Sequence, residues 1–193
     1  MEEEQALPDP GRVVLFAIAF EGSFAVAALL LGWLMSRDPL ATLEWTWSAA
    51  GWGALAALPL LPAMVWCSRS QWGPCRTITQ IVRQLLVPYF SRCTPLDLGL
   101  VSLAAGIGEE LLFRGVVQAT LEDWTNRWLA LVLASMLFGV AHFITPGYVV
   151  FATVFGVYLG GLWIWQGNLL APIVAHAVYD FLALVYLIYI ARK

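Results

Sequence analysis

Six long apolar runs alternate with short polar segments along the chain. They cover residues 13–35, 46–66, 97–120, 127–144, 148–166 and 169–190. Each run is long enough to cross the hydrocarbon core of a bilayer as a helix. The connections between the later runs contain proline or glycine and are short, so neighbouring helices should run antiparallel. The pattern predicts an all-α, polytopic bundle of about six transmembrane helices.

A different pattern occupies residues 76–90, between the second and third runs. Its apolar residues recur at helical spacing beside two arginines: Ile78, Ile81, Val82, Leu85 and Leu86 with Arg76 and Arg83. This arrangement is typical of an amphipathic helix that lies at the membrane interface. We therefore divide the chain into an N-terminal membrane segment, residues 1–94, which holds two transmembrane helices and the amphipathic helix, and a core, residues 95–193, which holds four transmembrane helices.

The composition also indicates a membrane protein. The 193 residues are 61% hydrophobic and 12% charged, with a mean hydropathy of +0.78, and a soluble domain of this length could not bury so much apolar surface. Residues 1–4 include three glutamates and lack the basic region of a signal peptide, so we expect no cleaved leader. The net charge of -3 and the scattered basic residues predict no nucleic-acid partner.

The basic residues predict the orientation in the membrane. Arg12, the arginines between residues 69 and 92, and the pair Arg192 and Lys193 fall on one side of the predicted helices, whereas Arg37 and Arg127 fall on the other. Cytoplasmic loops carry an excess of Lys and Arg. We therefore expect a multi-pass integral membrane protein with both termini in the cytoplasm, which an even number of helices requires.

Ionisable residues cluster inside the predicted spans. The third span contains Glu109, Glu110 and Arg114, the fourth contains His142, and the sixth contains His176 and Asp180. A charge at the bilayer centre costs roughly 2.5–3.5 kcal/mol on insertion scales, so such residues usually pair, face a cavity or serve a function. The cluster is therefore the candidate functional site.

Helical geometry separates the roles of the two adjacent glutamates. Glu110 and Arg114 are four residues apart and share a helix face, so they can form a charge-assisted pair. Glu109 points about 100 degrees away from its neighbour. It is left without a local partner, and it is the candidate general base.

The other two helices repeat this one-face arrangement. Phe138 and His142 are four residues apart, as are His176 and Asp180. The two members of each pair share a helix face, so Asp180 can orient the imidazole of His176. The predicted depths of these residues in the membrane agree less well. If the helices are upright, His142 lies roughly 10 Å nearer the cytoplasmic side than Glu109.

These residues resemble the motifs of a known family. Glu109, Glu110 and Arg114 match the signature Glu-Glu-x-x-x-Arg, and Phe138 with His142 matches Phe-x-x-x-His. His176 and Asp180 stand where that family has His-x-x-x-Asn or a relative of it. The family is the CPBP group of membrane peptidases, the CAAX protease and bacteriocin-processing proteins, also called Abi, which includes the type II CAAX prenyl endopeptidases.

The resemblance implies that residues 95–193 form a CPBP-like catalytic core. In it Glu109 and His142 would activate a water for attack on a peptide carbonyl, while His176 and residue 180 stabilise the oxyanion. Glu110, Arg114 and Phe138 would support the site structurally. The departure at Asp180 matters, because an ionised aspartate repels an oxyanion. Asp180 must then be protonated, or must keep His176 charged, or the activity is altered.

The resulting expectation is an intramembrane endopeptidase whose partners are the lipid bilayer and a membrane-associated protein or peptide, with or without a prenyl group. No cofactor is predicted. Zinc bound by His142, His176 and Glu109 is the alternative, since two histidines and one acid leave a position for water, but no His-Glu-x-x-His motif is present. A serine mechanism lacks its nucleophile elbow. An intramembrane aspartyl dyad is echoed by Tyr179-Asp180 and by Gly106–Glu109, but the order of the two motifs and the glutamate are wrong for that class.

Outside the enzymes, a non-catalytic immunity or scaffold protein is a further alternative. A proton-coupled transporter would be expected to show an inverted repeat and broken helices, and the sequence shows neither. Glu21 in the first span is interpreted as a snorkelling or locally paired residue. Gly106, Gly108 and Gly115 are interpreted as positions where helices approach closely.

Overall fold

The computed structural model describes residues 8–190, and every regular element in this range is helical. The α-helices are α1 (Pro10–Leu34), α2 (Trp47–Ala57), α3 (Leu60–Arg69), α4 (Gly73–Phe90), α5 (Pro95–Glu110), α6 (Ala119–Trp124), α7 (Arg127–Ala141), α8 (Pro146–Gln166) and α9 (Leu170–Val185). Two π-helical segments, Leu111–Gln118 and Tyr186–Ile190, continue α5 and α9. The all-helical fold class is confirmed. Residues 1–4, Arg192 and Lys193 lie outside the described residues.

Four helical stretches are long and apolar enough to cross a membrane: Pro10–Leu34, Trp47–Arg69, Pro146–Gln166 and Leu170–Ile190. The predicted fourth span is the shorter apolar helix Arg127–Ala141. The predicted third span lies in α5 and the segment after it, which carry the charged cluster. Large apolar side chains such as Leu15 and Phe16 are exposed on the outside of α1, where they can contact lipid. The protein is an integral membrane protein, while its orientation stays a prediction.

Local signals in the sequence begin and end the helices that carry the site. Thr94 and Asp97 form a reciprocal capping box at the start of α5. The side chains of Asn126 and Thr145 accept backbone N–H bonds at the starts of α7 and α8. Gly167 has a φ of 63° and ends α8 in the left-handed conformation that favours glycine.

Helix α5 lies at the centre of the bundle, packed between α1 and α9. Two glycines make this close approach feasible, as the sequence predicts. A Cβ at Gly106 would lie 2.8 Å from the Ile173 carbonyl oxygen of α9, and a Cβ at Gly108 would overlap the Glu21 carbonyl oxygen of α1. Because Glu109 follows Gly108 directly, both contacts help to position it.

The N-terminal helices share one core with the rest of the chain. Helix α2 packs against α9, and Ala28 of α1 belongs to the same buried apolar cluster as Leu111, Trp163 and Ile173. The amphipathic helix is α4, which starts slightly earlier than expected and buries Cys75 and Phe90. The division at residue 94 stays a prediction.

Candidate active site

The glutamate-bearing helix changes its hydrogen-bonding pattern at the site. Glu109 and Glu110 end α5, and the chain continues as a π-helical segment from Leu111. The sequence predicts an unbroken helix, and the chain does remain helical here, but the wider π turns were not foreseen. Such π turns occur frequently at functional sites.

The predicted pair of Glu110 and Arg114 is present and fully enclosed. Arg114 Nη1 donates to Glu110 Oε1 at 2.8 Å, and the two side chains are 2% and 0% exposed. The guanidinium also donates from Nη2 to the Gly156 carbonyl of α8 at 2.9 Å, and its Cζ lies 4.9 Å from the centre of the Phe138 ring of α7. The arginine therefore ties the π-helical segment to both neighbouring helices.

Glu110 has a second partner, His176, that the spacing of the sequence does not predict. His176 Nδ1 lies 2.8 Å from the same Oε1 atom of Glu110. A carboxylate that is paired with arginine accepts hydrogen bonds, so His176 Nδ1 carries a proton. The i,i+4 spacing predicts the pairing of Glu110 with Arg114. Nothing in the sequence indicates that α9 brings an imidazole to the same oxygen of Glu110.

The remaining nitrogen of His176 faces two carboxylates. Its Nε2 lies 3.4 Å from Asp180 Oδ2 and 4.0 Å from Glu109 Oε2. A proton on Nε2 therefore has two acceptors within reach, one from its own helix and one from α5. The Phe155 ring packs edge-on against the imidazole, with centroids 5.1 Å apart, and restricts its rotation.

His142 approaches Glu109 from the other side. It is the C-cap residue of α7, and its Nε2 lies 3.4 Å from Glu109 Oε2. The expected difference in depth does not keep the two side chains apart. His142 Nδ1 lies 2.8 Å from the Phe138 carbonyl oxygen, and the Phe138 ring stacks on the imidazole with centroids 4.3 Å apart. The carbonyl can only accept, so Nδ1 carries the proton.

These contacts define what the site can do chemically. In neutral His142 the lone pair is on Nε2, the atom that lies 3.4 Å from Glu109 Oε2. That carboxylate oxygen is buried and makes no hydrogen bond within residues 8–190. Two acceptors this close can together bind one water molecule through its two O–H groups and draw a proton from it.

Glu21 of α1 also belongs to this neighbourhood, contrary to the interpretation as a snorkelling or locally paired residue. Its Oε2 is buried and makes no hydrogen bond to the part of the chain that the structure describes. The carboxylate interacts electrostatically with Glu109, Asp180 and both histidines. The charge pattern of α1 could not reveal this, because the sequence does not tell which helix face meets α5.

Within residues 8–190, no three His, Cys, Asp or Glu side chains form a group that could hold a metal ion. The ligand set of the zinc alternative, His142, His176 and Glu109, is close together, but it is not arranged as a preformed metal centre.

Comparison with known proteins points to the same region. Residues 91–182 match the family described as type II CAAX prenyl endopeptidase, Rce1-like. The uncharacterized protein YpbD of Bacillus subtilis (strain 168) is 34% identical over 83 residues, which cover 42% of this chain and 40% of that protein. The chain thus aligns with less than half of this relative's length. No solved structure matches the chain. The matched region holds all of the predicted motif residues and leaves out α1 to α4.

Proposed function

We propose that the chain is an intramembrane endopeptidase, because residues 91–182 match the family described as type II CAAX prenyl endopeptidase, Rce1-like. Its substrate is a protein or peptide held at the membrane, and the reaction is hydrolysis of a peptide bond. The observation that carries the proposal is the convergence of His142 and His176, from two helices, on one buried oxygen of Glu109.

In the proposed reaction, Glu109 and His142 activate a water molecule. The water oxygen bonds to the carbonyl carbon of the scissile peptide, while its proton passes to the Glu109 carboxylate. Glu109 is the preferred acceptor because its Oε2 is buried and makes no competing hydrogen bond in the described structure. The proton then moves to the departing amine nitrogen as the carbon–nitrogen bond breaks. General base catalysis of this kind contributes typically 10²–10⁴-fold to a rate.

The second imidazole stabilises the charge that forms on the carbonyl oxygen. His176 Nδ1 is engaged by Glu110, so only Nε2 can donate to the oxyanion, and it does so when it is protonated. Asp180, 3.4 Å from Nε2, favours that protonated ring. Asp180 is therefore proposed to act through His176, which resolves the difficulty that an ionised aspartate cannot itself donate.

Peptide hydrolysis by the purified full chain in lipid nanodiscs tests the proposal. The substrates are a fluorogenic peptide library and C-terminal peptides prepared with and without a prenyl group, each assayed with and without a chelator. We expect hydrolysis that a chelator does not abolish, and a kcat about 10²-fold or more lower for Glu109→Gln and for His142→Asn. Glu122→Gln is the matched control, because Glu122 is paired with Arg127 away from the site.

Three results would count against the proposal. Full activity in both site variants would exclude the assigned chemistry. Loss of activity with chelator, restored by zinc, would favour the zinc enzyme that uses the same residues. Failure of the wild type to cleave any peptide would favour the immunity or scaffold alternative.

A further inference from the structure

The part of the chain between residues 45 and 96 carries basic side chains and no acidic ones. Its charged residues are Arg69, Arg76, Arg83 and Arg92. Within residues 8–190, no ion pair involves any of these four arginines. At the other end of the bundle, in contrast, Arg37 pairs with Asp123. Arg127 there pairs with Glu122. The four arginines, here called the arginine surface, therefore carry a charge that the described residues do not neutralise.

The fold brings the arginine surface to one end of the bundle. Arg69 ends α3 and Arg92 follows α4, while the other two arginines lie within α4. Helix α4 contacts both α1 and the segment Tyr186–Ile190 at the end of α9. Its buried Phe90 shares an apolar cluster with Ile188 of that segment. Helix α4 therefore lies across the end of the bundle at which α1 begins and α9 ends, and part of its apolar side is covered by the chain itself.

Arg83 is held against the protein without an acceptor for its Nε. This atom is buried and makes no hydrogen bond to the part of the chain that the structure describes. Tyr186 Oη lies 3.0 Å from Ser68 Oγ, so the end of α9 is fixed beside the end of α3. Both Arg69 and Arg83 interact electrostatically with this tyrosine. An anion between the two guanidinium groups would supply an acceptor and offset their mutual repulsion.

The surroundings of the arginine surface favour a lipid headgroup over a soluble anion. Trp66 and Trp72 lie at the turn between α3 and α4, with ring centroids 6.5 Å apart, and both are exposed. Leu85 and Tyr89 are exposed on α4. Tryptophan and tyrosine are enriched where a membrane meets water. A free phosphate ion makes no use of exposed apolar side chains, whereas a lipid in a bilayer contacts both them and the arginines.

We propose that the arginine surface binds the headgroups of anionic phospholipids, with one lipid phosphate between Arg69 and Arg83. Clusters of about four to eight basic residues on an amphipathic helix or beside a transmembrane helix are typical of such binding, and each contributes about fivefold to the attraction. This end of the bundle is the one that the basic residues predict to be cytoplasmic, where the leaflet is rich in anionic lipids. The inference concerns lipid binding and is independent of peptide hydrolysis.

Native mass spectrometry of the full chain in a nonionic detergent tests the proposal, because each bound lipid is identified by its mass. The probes are phosphatidylglycerol and phosphatidylcholine with the same acyl chains, added together, and inorganic phosphate. We expect the first phosphatidylglycerol to bind on the order of tenfold more tightly than phosphatidylcholine. Arg69→Gln/Arg83→Gln should weaken phosphatidylglycerol binding by about fivefold for each arginine removed, and should leave phosphatidylcholine binding unchanged.

Two control variants separate the arrangement of the arginines from other effects. Arg69→Lys/Arg83→Lys keeps both charges and should keep most of the preference for phosphatidylglycerol. Arg37→Gln/Arg127→Gln removes two charges at the other end of the bundle and should leave the preference unchanged. An equal loss of preference in Arg37→Gln/Arg127→Gln and in Arg69→Gln/Arg83→Gln would overturn the proposal, because it would show that only the net charge matters.

Three further results would overturn the proposal. The first is equal affinity of the wild type for both lipids. The second is inorganic phosphate binding as tightly as phosphatidylglycerol, which would indicate a site for a soluble anion. The third is phosphatidylglycerol binding that appears only after residues 1–7 are deleted, which would assign the arginine surface to the glutamates at the start of the chain.

Discussion

Replacing Arg114 by methionine tests whether the enclosed ion pair with Glu110 contributes more to the stability of the protein than an exposed ion pair does. Methionine keeps much of the arginine's length and removes its charge. The change would leave Glu110, which is 0% exposed, without its arginine. It would also remove the donor to the Gly156 carbonyl and the cation over the Phe138 ring.

The expected loss in the free energy of unfolding follows from the burial of this ion pair. Removing one partner of a buried pair typically costs about 3–5 kcal/mol, because the other charge stays in a low-dielectric environment without compensation. The pair of Arg127 and Glu122 provides the internal comparison. Its atoms are 3.1 Å apart and its side chains are 58% and 29% exposed, so Arg127→Met should cost only about 0–1 kcal/mol.

The assay is reversible unfolding of the purified protein in mixed micelles, followed by tryptophan fluorescence. Glu110→Gln/Arg114→Met should recover part of the loss, since no unpaired charge remains. The recovery should be incomplete, because His176 Nδ1 then faces a neutral amide instead of a carboxylate. Equal effects of Arg114→Met and Arg127→Met would refute the reasoning, as would a double variant that is less stable than Arg114→Met.

Two further predictions concern α5 and residue 180. Gly108→Ala should destabilise the protein by about 1–3 kcal/mol, because its Cβ overlaps the Glu21 carbonyl. Gly22→Ala, where a Cβ meets nothing within 4 Å, should not destabilise it, and thermal unfolding in detergent distinguishes the two. Asp180→Asn should keep kcat/KM within about tenfold of wild type, since an amide can donate to the oxyanion directly. A loss as large as that of Glu109→Gln would contradict this.

Much of the architecture could be predicted because its causes are local. The apolar runs are long enough to span a bilayer whatever surrounds them, and the caps at Thr94, Asn126 and Thr145 act within one helical turn. The pair of Glu110 and Arg114 forms across a single helix face, so its spacing was sufficient to predict it.

The contacts between helices could be identified only from the tertiary structure. His142 lies beside Glu109, and His176 bonds to Glu110, because α5, α7 and α9 meet at angles and depths that no single helix encodes. The same holds for Glu21. The spacing of residues along α1 does not show that this side chain lies near a site about ninety residues later in the chain. A side chain's distance from its own helical neighbours is set by the backbone repeat, whereas its distance from another helix depends on how all the helices pack.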